Sequence, residues 1–268
     1  MTVMFQRLIR LVLLLLTLTL SITAHAQDPK DSKSAQDSFN WSGLYLGGNG
    51  GLNLPRYDMK PYGGTVTFPP FPGVPVNFFV SGFSETQDGF VGGGQIGYNY
   101  QLGHLVLGLE ADFDGVNSTR VKSTFLDARV PFPFRFIETQ GALEMNWNAS
   151  ARLRAGFAWR RFLFYATAGG AFARLDLHEK ESMPPDPRLS VESSSDQTVA
   201  GWTAGAGVDW AVTKVVTVGL EYRHSGFGTD SYSFASTPLN TQHSANIRFS
   251  DDQITLRVNL LIGRLMGR

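Results

Sequence analysis

Between Leu44 and Ile262 apolar side chains recur at every second residue in eight successive segments, separated within each segment by small, polar or charged residues. A period of two puts the two sets on opposite faces of a strand, whereas a helix would scatter them around its axis. "EMNWNASARLRAGFAW", from Glu144 to Trp159, is the sharpest case. Asn146, Asn148, Ser150, Arg152 and Arg154 share one face; Trp147, Ala149, Ala151, Leu153, Ala155 and Phe157 share the other. The remaining segments follow suit. Leu44, Leu46, Leu52 and Leu54 oppose Tyr45, Asn49 and Asn53; Ile96, Tyr98 and Tyr100 oppose Gln95 and Asn99. Leu105, Leu107, Leu109 and Phe113 oppose Glu110, Asp112 and Asp114, while Phe162, Phe164 and Phe172 oppose Tyr165 and Thr167. Trp202, Val208 and Trp210 face away from Thr203 and Asp209, and Val218, Leu220 and Tyr222 from Glu221 and Arg223. In the last segment Ile254, Leu256, Val258 and Leu260 oppose Gln253, Thr255, Arg257 and Asn259.

The connections decide what the two faces meet. Gln101 to His104, Trp159 to Arg161 and Ala211 to Lys214 are short, while Pro55 to Asp88, Val116 to Thr139, Asp176 to Asp196 and Ser225 to Asn246 are long. Strict alternation of short and long links predicts an all-β fold: an eight-stranded antiparallel up-and-down transmembrane β-barrel with short periplasmic turns and four long extracellular loops. An even strand count puts both termini on the periplasmic side. A soluble sandwich would not need an outward band of Trp, Phe and Leu. After the first residues no continuous apolar helix follows, so a crossing would have to use strands closed on themselves.

The start of the chain agrees with export. Arg7 and Arg10 precede an apolar run from Leu11 to Leu20, and Ala24-His25-Ala26 precedes Gln27. That is the form of a cleaved signal peptide over 1–26. The polar, aperiodic stretch 27–40 reads as a flexible periplasmic tether, and 41–268 as the barrel. The chain has no cysteine, which excludes thiol chemistry and disulfides, and 23 basic against 23 acidic residues give no field to attract nucleic acid.

Several segments together resemble a known family. They are "FNWSGLYLGGNGG" (Phe39 to Gly51), "GFVGGGQIGYNYQ" (Gly89 to Gln101), "LVLGLEADF" (Leu105 to Phe113), "ARLRAGFA" (Ala151 to Ala158), "FYATAGGAFA" (Phe164 to Ala173), "GWTAGAGVDWAV" (Gly201 to Val212) and "VGLEYRHSGFG" (Val218 to Gly228). In this order they are similar to the small eight-stranded outer-membrane barrels of alpha-proteobacteria, the OmpA-like and opacity-type proteins of the porin family. The resemblance covers the strands and little of the loops. It implies residence in the bacterial outer membrane, contact with its lipids and with the assembly machinery, and roles in envelope integrity, adhesion or haem binding. Such barrels usually end on an aromatic residue, whereas "LRVNLLIGRLMGR" runs on to Arg268.

In a barrel the wet faces point inward. Glu110, Asp112, Arg152, Arg154, Glu221, Arg223 and Arg257 are then expected to form a charge network in the lumen at similar heights, filling it with paired ions. Limited passage of small solutes, by exchange of these pairs, is the functional extension of that reading. His224-Ser225 offers a base beside a nucleophile, but neighbours on a strand point to opposite faces, so no enzyme is expected. His104, His178 and His243 are expected singly in turns or loops without metal-ligand spacing, and neither cofactor nor metal is expected. Two loops rich in Phe and Pro, Thr65 to Phe83 and Phe125 to Phe136, are expected either to pack as lids or to offer host or small-molecule ligands an adhesive surface.

Overall fold

The computed structural model describes residues 39–67, 75–80, 82–86, 88–118, 123–126, 138–183, 186–236 and 241–262. The signal-peptide and most of the tether assignments, much of both Phe/Pro-rich loops and the tail after Ile262 lie outside the described residues. The strands are β1 (Gly43–Met59), β2 (Tyr62–Thr67), β3 (Pro75–Val80), β4 (Phe83–Thr86), β5 (Gly89–Leu102), β6 (Leu105–Ser118), β7 (Ser123–Leu126), β8 (Glu138–Trp159), β9 (Phe162–Met183), β10 (Asp186–Ala211), β11 (Val216–Ser236) and β12 (Thr241–Leu261). Eight of them, β1, β5, β6, β8, β9, β10, β11 and β12, pair in chain order, and β12 closes on β1. All of these pairs are antiparallel. The expected eight-stranded up-and-down barrel is therefore the observed one.

Closure fixes the bore. Passing from Leu46 through its successive partners Ile96, Ala111, Ala151, Gly170, Trp202, Gly226 and Ser250 returns to β1 at Arg56, ten residues farther along. Eight strands with that stagger tilt by about 40° and enclose a backbone cylinder of about 8 Å radius, which side chains can fill. Close packing inside demands glycine at some positions. A Cβ on Gly169 would lie 2.0 Å from the Ala151 carbonyl oxygen, against rigid backbone.

The two faces divide as the alternation predicts. Leu109 and Leu153 are 61% and 66% exposed on the outside, whereas Glu110 and Arg152 beside them are 3% and 4% exposed. The outward Leu, Phe, Trp, Tyr and Val side chains form the apolar belt a bilayer requires. Inside, the short-turn end is filled by Trp41, Val106, Ala158, Leu163, Tyr165 and Ala211, with Phe39 packed against them. The opposite end is filled by Tyr57, Met145, Ala171, Ala173, Leu175, Val199, Phe227, Ile247 and Phe249. Polar and ionic residues occupy the space between the two apolar layers.

Three details differ from the sequence-based expectation. The links at Asp176–Asp196 and Ser225–Asn246 are mostly strand, because β9 and β10 stay paired up to Met183 and Asp186, and β11 and β12 up to Ser236 and Thr241. In these stretches the apolar alternation that marks a strand in the sequence is short and broken by Ser and charged residues, while backbone pairing continues. The second difference is Asn146, expected inside. The register shifts between Met145 and Trp147, which turns Asn146 outward to donate to Asp176 at 2.5 Å and Met145 inward into the upper apolar layer. The last concerns Phe39 and Asn40, assigned to the tether. Phe39 N–H donates to the Arg160 carbonyl at 3.1 Å and its ring meets Trp41 edge-on at 4.8 Å, so contacts with the barrel begin before Trp41.

Candidate functional site

The structure places Glu110, Asp112, Arg152, Arg154, Glu221, Arg223 and Arg257 together inside the barrel, on inward positions of four strands. Glu110 and Asp112 come from β6, Arg152 and Arg154 from β8, Glu221 and Arg223 from β11, and Arg257 from β12. Arg152 is the hub. Its guanidinium donates to Glu110 at 2.6 Å, to Asp112 at 2.9 Å and to Glu221 at 2.6 Å. Arg257 bridges the same two glutamates, donating to both Glu110 and Glu221, and also to the Tyr165 hydroxyl at 3.0 Å. Arg223 stands higher. It donates to Asp112 at 2.6 Å, to Asp114 at 2.8 Å and to Gln253.

Arg154 marks the lower edge of the cluster. It donates to Asp209 and to the Tyr45 hydroxyl at 3.1 Å, and reaches Glu110 at 3.5 Å. Its guanidinium carbon lies 3.6 Å from the Tyr165 ring centroid and 5.8 Å from that of Tyr45, so two aromatic rings adjoin the cation. Tyr45 in turn donates its hydroxyl proton to Glu110 at 2.5 Å, and Tyr165 donates to Glu221 at 2.9 Å. Tyr165 can lie across the bore because Gly207 opposite has no side chain: a Cβ there would sit 2.5 Å from the Tyr165 hydroxyl.

Four arginines thus face five carboxylates in one connected cluster, Glu110, Asp112, Asp114, Asp209 and Glu221. Amides and hydroxyls surround it. Ser150 donates to Asp112 at 2.5 Å, Asn49 to Asp114 at 2.8 Å, and Gln95 to Asn259 at 2.8 Å. A further carboxylate, Asp251, is held by Asn53 at 2.6 Å and Gln253 at 2.7 Å. Burying so many ions is tolerable only because every one has opposite charges or hydrogen-bond donors around it. The cavity among Asn49, Gln95, Asp114, Arg152, Arg223 and Arg257 measures about 10 Å³, on the order of one water molecule.

Asp209, Tyr45 and Tyr165 belong to the cluster beyond the residues expected to form it, and Asp114, on the same strand face as Glu110 and Asp112, joins it through Arg223. All four sit on inward faces in the sequence pattern, so their side was legible; their partners were not. The other candidates fall elsewhere. His224 faces outward, its Nδ1 2.8 Å from Asp252 Oδ1, where the Tyr222 hydroxyl also donates at 2.6 Å, while Ser225 faces the lumen and donates to Thr203 at 3.0 Å. Two residues on opposite sides of the wall cannot share a reaction. His104 occupies the β5–β6 turn as expected, but His178 and His243 fall in β9 and β12 rather than in loops, for the reason that hid those strand extensions. Among the described residues no group of three or more His, Asp or Glu is placed to hold a metal.

Comparison with known proteins agrees with this architecture. The model of the outer membrane protein beta-barrel domain family matches residues 12–260. The 31 kDa outer-membrane immunogenic protein of Brucella melitensis is 32% identical over 197 residues, 72% of this chain and 73% of that protein. The 22 kDa outer membrane protein of Rhizobium leguminosarum is 28% identical over 214 residues, 77% of this chain and 74% of the relative. Among solved structures, the outer membrane protease OmpT from Escherichia coli superposes with a TM-score of 0.44 at 10% identity, covering 83% of this chain and 98% of that one. A closed barrel with an apolar outside and a family match spanning nearly all of it leave one assignment: the chain belongs to the outer membrane protein β-barrel domain family.

Proposed function

We propose that this protein is a closed-lumen barrel of the outer membrane that contributes to envelope structure and supports extracellular hairpins, rather than an open porin or an enzyme. The observation that carries the reading is the layered interior, in which the ionic cluster is sealed by apolar side chains above and below. A hydrated ion would have to break several buried pairs and displace both apolar layers to cross. Planar-bilayer recording on refolded protein tests this directly. Conductance should be low or intermittent, and large steady channels from the monomer would overturn it.

A second reading, display of a surface that binds host or small-molecule ligands, is favoured by the length of the β9–β10 and β11–β12 hairpins. The Brucella relative is named an outer-membrane immunogenic protein, which is in keeping with this reading. Both readings place the short turns and the termini in the periplasm. The chain lacks cysteine, so a single introduced thiol reports one position. Ser194→Cys on β10 should react with a membrane-impermeant maleimide on intact cells, and Gly103→Cys in the β5–β6 turn only after lysis; the reverse pattern would invert the orientation.

A further inference from the structure

The outer wall around β8 and β9 is uneven in a way the closed lumen does not explain. Ala155 and Ala166 are direct cross-strand partners, and Leu107 and Ala206 extend that row on either side. One step closer to the short turns the row is bulky, with Leu105, Phe157, Phe164 and Val208 in register. Small side chains beside large ones leave an open groove of about 630 Å³, lined by His104, Leu105, Ala155, Phe157, Phe164 and Ala166. It begins at the β5–β6 turn and climbs the wall toward the middle of the apolar belt, so its walls suit a hydrocarbon chain and its mouth opens at the membrane edge.

That edge is basic. His104 stacks on Phe157 with ring centroids 5.5 Å apart, and its Nδ1 lies 3.0 Å from the Ala158 carbonyl oxygen. The Ala158 carbonyl accepts from Nδ1–H, so in the neutral ring Nε2 is an acceptor, and His104 serves the groove as an aromatic wall rather than as a donor to an anion. Arg160 occupies the turn joining β8 to β9, the two strands that carry most of the groove, with its guanidinium 5.5 Å from the Trp159 ring centroid. The turn segments 102–105, 159–162 and 211–216 contain His104, Arg160, Arg161 and Lys214 and no Asp or Glu.

We propose that this groove holds one acyl chain of an anionic phospholipid whose phosphate engages Arg160, with the His104 ring beside it. The hydrocarbon-facing walls specify an apolar tail, and the acid-free mouth specifies a negative headgroup, which a guanidinium can bind through paired hydrogen bonds. Such a lipid would fill the trough left by the alanines and fix the height of the barrel in the leaflet facing the short turns. The inference goes beyond the closed-lumen reading and does not depend on it.

Native mass spectrometry of the folded, detergent-released protein tests it with dioleoyl phosphatidylglycerol and dioleoyl phosphatidylcholine as probes. The wild type should retain one phosphatidylglycerol in about five-fold preference over phosphatidylcholine, the ratio expected of one favourable surface charge. Arg160→Gln should remove the preference while leaving some retention of both lipids. Ala166→Phe, which fills the groove, should reduce both to background; should that variant fail to fold by heat-modifiability on gels, Ala155→Leu provides the same readout. Equal retention of the two lipids by the wild type, or undiminished phosphatidylglycerol on a folded groove-filled variant, would overturn the proposal. A barrel that conducts steadily yet retains phosphatidylglycerol would remove the closed-lumen reading and leave this one standing.

Discussion

Arg257→Leu should lower the stability of the folded barrel by about 3 kcal/mol or more, the usual cost of removing one partner from a buried ionic pair. The arginine is 2% exposed and donates to Glu110, Glu221 and Tyr165. Leucine would leave two buried carboxylates facing each other with less positive charge between them, although Arg152 still holds both. Denaturant unfolding followed by tryptophan fluorescence in detergent measures the change. Arg56→Ala is the control, since Arg56 pairs with Asp58 at 3.4 Å on the exposed outer face and should cost about 1 kcal/mol or less. Equal effects of the two substitutions would mean that the central cluster adds nothing a surface pair does not.

The complementary prediction concerns the other side of the same strand. Leu153 lies between Arg152 and Arg154 in the chain but points outward and is 66% exposed. Leu153→Arg should therefore cost about 2–4 kcal/mol in a lipid bilayer, the range for arginine on the lipid face near the midplane. Ser194→Arg, beyond the apolar belt on β10, should be close to neutral. Unfolding from phospholipid vesicles separates the two, and a Leu153→Arg protein as stable as wild type would mean that no hydrocarbon touches this face. One residue of displacement along β8 thus turns arginine from a ligand of the central cluster into an ion stranded in lipid.

These contrasts also mark how far the sequence could be read. The side of the wall on which each residue lies follows from neighbours two positions away, because lipid on one side and packed polar groups on the other impose the same local rule along every crossing strand. Arg152, Glu110 and Arg257 could therefore be assigned to the lumen, and eight strands with alternating links already implied closure. Partner choice is a different matter. That Arg154 meets Asp209 beside two tyrosines, or that Arg257 spans Glu110 and Glu221, depends on the ten-residue stagger accumulated around the barrel. Non-local pairings set that stagger.

Where the environment stops enforcing alternation, legibility ends as well. The extensions of β9, β10, β11 and β12 are rich in Ser and charged residues and carry only short stretches of apolar alternation, and an added residue at Asn146 redirects the chain without altering its composition. The sequence by itself determined the fold class, the strand count and the inward or outward fate of each side chain in the belt, since those depend on a two-residue period and the solvent it meets. Only the tertiary structure decided which ions pair, how apolar residues seal both ends of the lumen, and where alanines leave a groove on the outside, since each of these is set by register between strands distant in the chain.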